Sequence, residues 1–254
     1  MKNSIQNIEK RRAYLLKIVK REASTTVHEL SEAVGVSEMS IRRDCRVLQK
    51  MGKIKVSFGK IEYHDENIDQ AERVQIDQIN DKIAQAAVNY IDDNQMIFIN
   101  SSRTASKILD HIKDKRINIL TNNLRTVDKK INSESNLVLS GGEIRAGSRI
   151  LTGDIALKSF RNVHASISFI GCAGLDIKHG LTTTNIHEAE INRLIVKNCQ
   201  RLVVLANYTK INRVTNFNVG NLKDIDVLVT DIYADDKYIK RIRNVGVEVI
   251  QVPV

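Results

Sequence analysis

The hydrophobic pattern near the start of the chain contains two short repeats at helical spacing. They consist of Val27, Leu30 and Val34 in the first case and of Ile41, Cys45 and Leu48 in the second. Apolar residues three or four positions apart share one face of a helix, so each repeat predicts a short amphipathic helix. Gly35 lies between them, where a helix has to end and the chain has to turn. The pattern therefore predicts two helices joined by a tight turn.

Residues that favour helix starts precede both repeats. Thr26 and Ser37 can each accept hydrogen bonds from the free amides of a first helical turn. Two helices with a glycine-containing turn form a helix-turn-helix unit, whose second helix enters the major groove of DNA. The alternative is a solvated basic helix in a protein-interaction domain. We favour DNA binding because the caps, the turn and the charge agree.

The flanking segments complete a winged helix. Residues 5–21 carry a broad apolar face among basic residues and predict a first helix, and residues 53–63 alternate in strand fashion around a glycine. Such alternation predicts a short hairpin, the wing. Residues that we expect to contact DNA are Thr26, Ser37, Met39, Ser40, Arg42, Arg43, Arg46, Lys55 and Lys60.

Beyond residue 80, apolar runs alternate with amphipathic stretches. The runs that we predict as strands are 96–99, 117–120, 137–139, 167–170, 202–206, 227–229 and 247–252. The stretches between them with helical patterns are 105–112, 124–131, 155–160, 188–199 and 236–243. Continuously apolar strands that alternate with helices predict a mostly parallel sheet covered on both faces. The fold class expected here is an α/β domain preceded by a small winged helix-turn-helix domain.

Length and charge divide the chain in the same way. A chain of 254 residues predicts two domains, which we place at residues 1–63 and 81–254, with a polar, partly helical linker at 64–80. Residues 1–63 contain 14 basic and 7 acidic residues, whereas the rest of the chain is nearly balanced. The overall charge of +9 therefore belongs mainly to the first domain, where it can neutralise DNA phosphates.

Several classes of protein are disfavoured by the composition. The three cysteines are widely spaced, which gives neither a disulfide framework nor a C-x-x-C pair, and the six histidines form no metal-binding pattern. No apolar run reaches the length of a membrane span, and the first residues lack the apolar core of a signal peptide. We expect a cytoplasmic protein without a metal, a cofactor or a membrane partner.

Polar loops follow the first three predicted strands of the second domain. Ligands bind to α/β sheets at the carboxyl ends of strands, and hydroxyls, a cation and free amides suit an anion. A lone loop of this kind slightly favours an ordinary helix cap over a binding site, but three on one rim favour a binding site. Expected effector contacts are Asn100, Ser101, Ser102, Arg103, Thr104, Asn122, Gly141 and Gly142, with Lys210 from a later loop.

These motifs together resemble a known family. Residues 27–44 are similar to the N-terminal signature of the DeoR family of bacterial sugar-metabolism regulators. The second domain resembles that family's effector domain through residues 121–124, 140–142, 169–171 and 209–210. The resemblance implies a second domain with a fold like ribose 5-phosphate isomerase. It also implies a transcription factor, usually a repressor, whose affinity for operator DNA changes when a phosphorylated sugar binds.

Two departures from the family pattern bear on function. Asn100 and Asn207 occupy positions where the family usually has acidic residues. General acid–base chemistry needs such groups, so we expect no catalytic residues and disfavour the alternative, an isomerase-like enzyme with an appended DNA-binding domain. A ligand-free architectural protein is disfavoured because 174 residues follow position 80. The partners expected are double-stranded operator DNA, a small phosphorylated sugar or related anionic metabolite, and further copies of the chain.

Overall fold

A computed structural model describes residues 2–22, 24–57, 59–63, 66–144 and 147–254. The chain divides into two compact units, Met1–Gln75 and Ile76–Val254. The boundary falls inside the helix α4 (Glu66–Ala87). The segment 64–80, which we expected to link the domains, therefore overlaps α4 from Glu66 onward. Ile79 of this segment is fully buried in the core of the second unit.

In the part of the chain that the structure describes, the first unit contains three complete helices, a small antiparallel sheet and the first turns of α4. Its elements are α1 (Lys2–Glu22), β1 (Ser24–Thr26), α2 (Val27–Val34), α3 (Glu38–Lys50), β2 (Ile54–Ser57) and β3 (Lys60–Tyr63). The strands pair in the order β1-β3-β2. Both apolar repeats contribute to the core, which contains Leu30, Ile41, Cys45 and Leu48 together with residues of α1 and the sheet. The winged helix-turn-helix fold is confirmed.

Local capping explains where α2 begins and ends. The Thr26 hydroxyl accepts a hydrogen bond from the Glu29 amide, and the Glu29 carboxylate accepts one from the Thr26 amide at 2.7 Å. This capping box satisfies two amides that a helix start otherwise leaves free. At the other end Gly35 adopts φ +71°, a left-handed conformation that glycine reaches without a steric penalty.

A seven-stranded parallel sheet forms the centre of the second unit. The elements after α4 are β4 (Met96–Ile99), α5 (Arg103–Ser106), β5 (Asn118–Thr121), β6 (Asn136–Leu139), β7 (Glu143–Ile144), β8 (Leu151–Thr152), α6 (Gly153–Arg161), β9 (Ala165–Gly171), β10 (Gly174–Asp176), β11 (Gly180–Thr183), α7 (Ile186–Lys197), β12 (Cys199–Leu205), β13 (Phe217–Gly220), β14 (Val227–Asp231), α8 (Asp236–Arg243) and β15 (Glu248–Val252). The order in the main sheet is β15-β14-β12-β9-β4-β5-β6.

Helices cover both faces of this sheet, as a buried parallel sheet requires. Phe98 of β4 points to the face packed by α6, α7 and α8, whereas its neighbours Ile97 and Ile99 point to the face packed by α4 and the α5 segment. Each predicted strand overlaps one strand of the main sheet. The predicted α/β class with a mostly parallel sheet is confirmed.

Two helical predictions in this unit were too long. Residues 124–131 form only a single 3-10 turn at 124–126, and residues 105–112 divide into the end of α5 and a 3-10 turn at 107–110. Thr126 and Asn123 explain the first case, because their side chains bond to nearby backbone and favour turns over helix. The small antiparallel sheets β10-β11-β13 and β7-β8 were not predicted.

Within the described ranges, no helix has the length and apolar character needed to span a bilayer. The same residues also hold no cluster of three or more histidine, cysteine or acidic side chains arranged to bind a metal ion.

Candidate functional site

The α3 helix presents one apolar face and one exposed, basic face. Ser37 begins it, accepting a hydrogen bond from the Ser40 amide at 3.4 Å. Exposed side chains cover the side opposite the core. They are Met39, Arg42, Arg43 and Arg46, and Met39 is 74 % exposed although methionine is apolar. Of these four, Arg42 forms an ion pair with Glu38 at 3.0 Å.

A buried carboxylate fixes α3 to α1. Asp44 is fully buried and accepts hydrogen bonds from Nε of Arg11 at 2.7 Å and from Nε of Arg12 at 2.8 Å. Two cations around one carboxylate satisfy its lone pairs and compensate for its lost hydration. Asp44 therefore orients the helix rather than contacting a ligand, and two of the basic residues of α1 are engaged inside the domain.

The wing places its lysines on the surface. Lys55 of β2 and Lys60 of β3 are both exposed, and Lys60 lies opposite Ser57 next to the turn. Gly59 in that turn has φ +79°, which suits a tight hairpin. Thr26, at the start of α2, is partly exposed but its hydroxyl is used in the capping box. Their contacts with DNA stay a prediction.

A polar cleft of about 370 Å³ lies at the carboxyl ends of β4, β9 and β12. Six of the expected effector residues line it: Asn100, Ser101, Ser102, Arg103, Thr104 and Lys210. The other lining residues are Ile76, Asn80, Gly171, Cys172, Ala173, Thr183, Thr184, Glu188, Asn192, Leu205 and Asn207. The structure thus brings together a loop that follows β4 and a lysine more than one hundred positions later in the chain.

Asn100 organises the loop after β4. Its side-chain nitrogen donates to the Gly171 carbonyl at 2.9 Å and to Oδ1 of Asn192 at 3.2 Å, and its Oδ1 accepts from the amides of Ser102 and Gly171. An aspartate at this position could not donate to a carbonyl oxygen. The two oxygen acceptors are therefore matched by an amide at this position rather than by an ionised carboxylate.

Close packing and a second amide hold the same loop in place. A Cβ atom on Gly171 would lie 2.0 Å from the Ser102 Oγ atom, so only glycine permits this approach. Ser102 Oγ accepts hydrogen bonds from the amides of Thr104 and Ala105. From the neighbouring strand end, Asn123 donates to the carbonyl oxygens of Asn100 and Ser102. Groups of the protein itself therefore hold this loop in place.

The charge balance of the cleft is positive. Glu188 supplies the one carboxylate among its described lining residues, and it accepts a 2.7 Å hydrogen bond from the Ser101 hydroxyl. Lys210 is half-buried and has no carboxylate within ion-pair distance in the described part of the chain. Burial, and then the nearby charge of Arg213, lower the pKa of Lys210 below its ordinary value. An anion in the cleft would offset both effects.

Burial also affects the thiol group of Cys172, which lines the cleft. Removal from water raises the pKa of Cys172 to about 12. A thiol with such a pKa is protonated at neutral pH and is a weak nucleophile. We therefore interpret Cys172 as a residue that lines the cleft and not as a nucleophile.

The structure places three expected effector residues outside this cleft. Asn122 is fully buried and donates to the Leu151 carbonyl at 3.1 Å. Gly141 and Gly142 follow β6 and adopt positive φ, and a Cβ atom on Gly142 would lie 2.3 Å from the Thr152 carbonyl oxygen. These residues let the β7–β8 segment pack against the sheet, so their position favours a structural role.

Sequence reasoning missed other residues of the cleft. Glu188 and Asn192 lie one helical turn apart on α7 and therefore face the same side, a spacing that was visible in the sequence. Thr183 is the last residue of β11 and Thr184 follows it, whereas Asn80 comes from α4, within the segment assigned as a linker. No sequence signal connected Asn80 to the cleft.

Family models match both parts of the chain. A model described as the DeoR-like helix-turn-helix domain matches residues 11–67, and one described as the DeoR C-terminal sensor domain matches residues 78–232. The chain belongs to the DeoR family. The exposed face of α3 and the polar cleft thus lie in the family's DNA-binding and sensor domains, and this DeoR-family chain is a transcriptional regulator.

Curated relatives of this DeoR-family chain match along nearly its whole length. It is 28 % identical to the HTH-type transcriptional regulator GolR of Listeria innocua, over 92 % of this chain and 95 % of that protein. It is 26 % identical to a putative aga operon transcriptional repressor of Escherichia coli O157:H7, covering 98 % and 95 %. The glycerol-3-phosphate regulon repressor of Escherichia coli K12 is 24 % identical, covering 85 % and 88 %.

Among solved structures, the ribose 5-phosphate isomerase of Plasmodium falciparum is similar to this DeoR-family chain with a TM-score of 0.39 and 15 % identity. The match covers 55 % of this chain and 54 % of that enzyme. Ribose 5-phosphate isomerase A of Methanocaldococcus jannaschii gives a TM-score of 0.38 and 14 % identity, covering 53 % and 54 %.

Proposed function

We propose that this DeoR-family regulator is a repressor whose operator affinity is controlled by a small phosphorylated sugar or a related anionic metabolite. The observation that carries the proposal is the cleft in the sensor domain, where Lys210 and Arg103 meet polar loop groups and Glu188 is engaged by Ser101. A cleft that combines cations with hydroxyl and amide groups suits a ligand with one anionic end and several hydroxyls. The relatives named for the aga operon and the glycerol-3-phosphate regulon support this ligand class.

The DNA-binding half of the proposal rests on α3. Its exposed arginines can form bidentate contacts with guanine or ion pairs with phosphates, and Lys55 and Lys60 can contact phosphates from the wing. A homo-oligomer would present two such helices to spaced half-sites, and a ligand would change the geometry between them. Operator affinity should then fall steeply with salt, by a slope of about −0.9 per phosphate neutralised in a log–log plot.

One experiment tests both halves with the full-length protein. Thermal unfolding is measured with sugar phosphates and with the same sugars lacking phosphate, and a gel shift uses DNA from upstream of the protein's own gene. A ligand that binds only the folded form raises the melting temperature, and we expect this only for phosphorylated sugars. Lys210→Met should abolish the stabilisation, whereas Lys197→Met, an exposed lysine of α7, should preserve it.

The matching DNA variant is Arg43→Ala. We expect it to weaken operator binding by about fivefold or more, which corresponds to the range of about 1–3 kcal/mol found for base-contacting arginines, with stabilisation by ligand intact. An unchanged operator affinity, or equal stabilisation by phosphorylated and unphosphorylated sugars, would refute the corresponding half. Turnover of a pentose phosphate by the purified protein would favour the enzyme alternative instead.

A further inference from the structure

A second, larger cleft of about 630 Å³ lies beside the effector cleft. Its walls come from the α5 segment, from residues 125–130 and from Arg149. Charged side chains dominate it. Seven are basic, namely Arg103, Lys107, Lys113, Arg125, Lys129, Lys130 and Arg149, and three are acidic, namely Asp77, Asp110 and Asp128.

Each acidic residue of this second cleft pairs with one of the cleft's own basic residues. Asp77 accepts from Lys107 at 3.0 Å, and Asp110 accepts from Lys129 at 2.5 Å. Asp128 lies 3.9 Å from Arg149, an exposed contact that contributes little. Among the described residues, no carboxylate lies within ion-pair distance of Arg103 or Arg125. Arg103 and Arg125 are thus lining cations of this cleft without a partner carboxylate in the described part of the chain, and Arg103 also lines the effector cleft.

Arg125 is the second of these two lining cations. It is only partly exposed, and burial followed by the charges of Arg103 and Arg149 lowers the pKa of its guanidinium below the ordinary value, although the charge of Glu188 acts in the opposite direction. Partial burial of a cation among two like charges is unfavourable unless an anion joins them. Planar guanidinium groups match the geometry of phosphate oxygens better than lysine ammonium groups do.

Arg103 connects the two clefts, because it lines both of them. We propose that Arg103, Arg125 and Arg149 bind a second phosphate group, next to the cleft that receives the effector, and that the protein therefore prefers bisphosphorylated to monophosphorylated sugars. That preference rests on the proposed function, whereas the phosphate site itself does not. The second phosphate can come from the same sugar or from free inorganic phosphate, and both sources share the chemistry that three arginines recognise.

Calorimetric titration of the full-length protein tests this proposal. The probes are ribose 5-phosphate, ribulose 1,5-bisphosphate, fructose 6-phosphate, fructose 1,6-bisphosphate and inorganic phosphate. We expect at least one bisphosphate to bind about tenfold or more tightly than its monophosphate, as two charged hydrogen bonds allow. Arg125→Gln and Arg149→Gln should each reduce that ratio below about threefold and leave monophosphate affinity within twofold. Arg116→Gln is the control, since Arg116 is an exposed arginine that pairs with Glu134 elsewhere on the surface.

The remaining outcomes separate the sources. If inorganic phosphate binds, competes with the bisphosphate and is lost in Arg125→Gln, the site is confirmed with free phosphate as one of its ligands. If Arg125→Gln and Arg149→Gln leave the binding of both bisphosphate and inorganic phosphate unchanged, the proposal is overturned. The same holds if these variants change only the number of copies of the chain in the oligomer. If the wild type binds no sugar monophosphate but binds inorganic phosphate in a way that depends on Arg125, the proposed function is overturned and the phosphate site is not. Arg125→Gln should not lower the melting temperature without ligand, because it removes like-charge repulsion.

Discussion

Asn207 donates a 2.8 Å hydrogen bond from its side-chain amide to Oδ1 of Asn80. Asn207 is buried at the end of β12, and Asn80 lies on α4, the helix that contains the boundary between the two units. Both side chains line the effector cleft. A ligand that competes for either amide would therefore act directly on α4.

This contact predicts that Asn80→Ala reduces the effect of ligand on DNA binding. The ratio of operator dissociation constants with and without saturating sugar phosphate should fall by about fivefold, equivalent to about 1 kcal/mol of coupling. Saturating ligand makes the ratio independent of any change in ligand affinity. Gln78→Ala, an exposed residue of the same helix, should leave the ratio unchanged. An unaltered ratio in Asn80→Ala would exclude this route of communication.

Asp44→Asn should destabilise the DNA-binding domain. The amide cannot accept charged hydrogen bonds from both Arg11 and Arg12, and the two guanidiniums lose their common anion. We expect a loss of about 2–4 kcal/mol in the free energy of unfolding, measured by urea denaturation. Glu32→Gln removes an exposed carboxylate on α2 and should cost less than about 0.5 kcal/mol. Equal midpoints for both variants would contradict the assignment of Asp44 as the connection between α1 and α3.

Asp176 should make the sensor domain less stable in acid. Burial alone would raise the pKa of Asp176, but hydrogen bonds from Tyr238, His179 and Lys178 outweigh it and hold that pKa well below its ordinary value of 3.8. Because the folded-state pKa is depressed, this stabilisation is present above about pH 4 and is lost as the pH falls further.

The measurement compares the melting temperatures of the wild type and Asp176→Asn between pH 6 and pH 3. The wild type should be more stable at pH 6, and the difference should be nearly constant down to pH 5 and then narrow. A difference that widens in acid would show that the carboxylate is not the stabilising form.

Gly142→Ala tests the structural role of the glycine pair after β6. Both Gly142 and Gly147 have positive φ, and alanine at either position costs about 1 kcal/mol of backbone strain. A Cβ atom added at Gly142 would clash with the Thr152 carbonyl oxygen, whereas one added at Gly147 would lie in open space. Gly142→Ala should therefore lower the free energy of unfolding by clearly more than Gly147→Ala. Ligand affinity of the folded fraction should be unchanged in both. If Gly142→Ala lowered the affinity for ligand while both variants had the same free energy of unfolding, Gly142 would belong to the effector site after all.

The elements were predictable where a single helix or strand period dominated. The repeats around Gly35 and the continuous apolar strands gave the winged helix and the parallel sheet, because burial on one or both faces leaves a clear period. The prediction of a helix at residues 124–131 was wrong. Side chains such as that of Thr126 form hydrogen bonds with nearby backbone groups, and these bonds compete with those of a helix.

The cleft was predictable only in part, for a related reason. Residues after β4 could be assigned because they follow a strand directly, as ligand-binding loops of such sheets do. Asn122 and Gly142 follow strands in the same way, but the side chain of Asn122 bonds to Leu151 and the glycine packs beneath Thr152. Asn80 was missed because it reaches the cleft from a helix on the opposite side of the boundary that we had drawn, a tertiary placement without a local signal.

Neither Asn100 nor Asn123 ionises, and together they hold the loop from residue 100 to residue 102. A carboxylate in the first position would lose its charge in mild acid and change its hydrogen bonds with it. The hydrogen bonds that these two amides make do not depend on protonation in the physiological pH range. The second ionisation of a sugar phosphate, near pH 6, should therefore contribute to any acid sensitivity of recognition, because acidification changes the charge of the ligand while these two amides keep their hydrogen bonds.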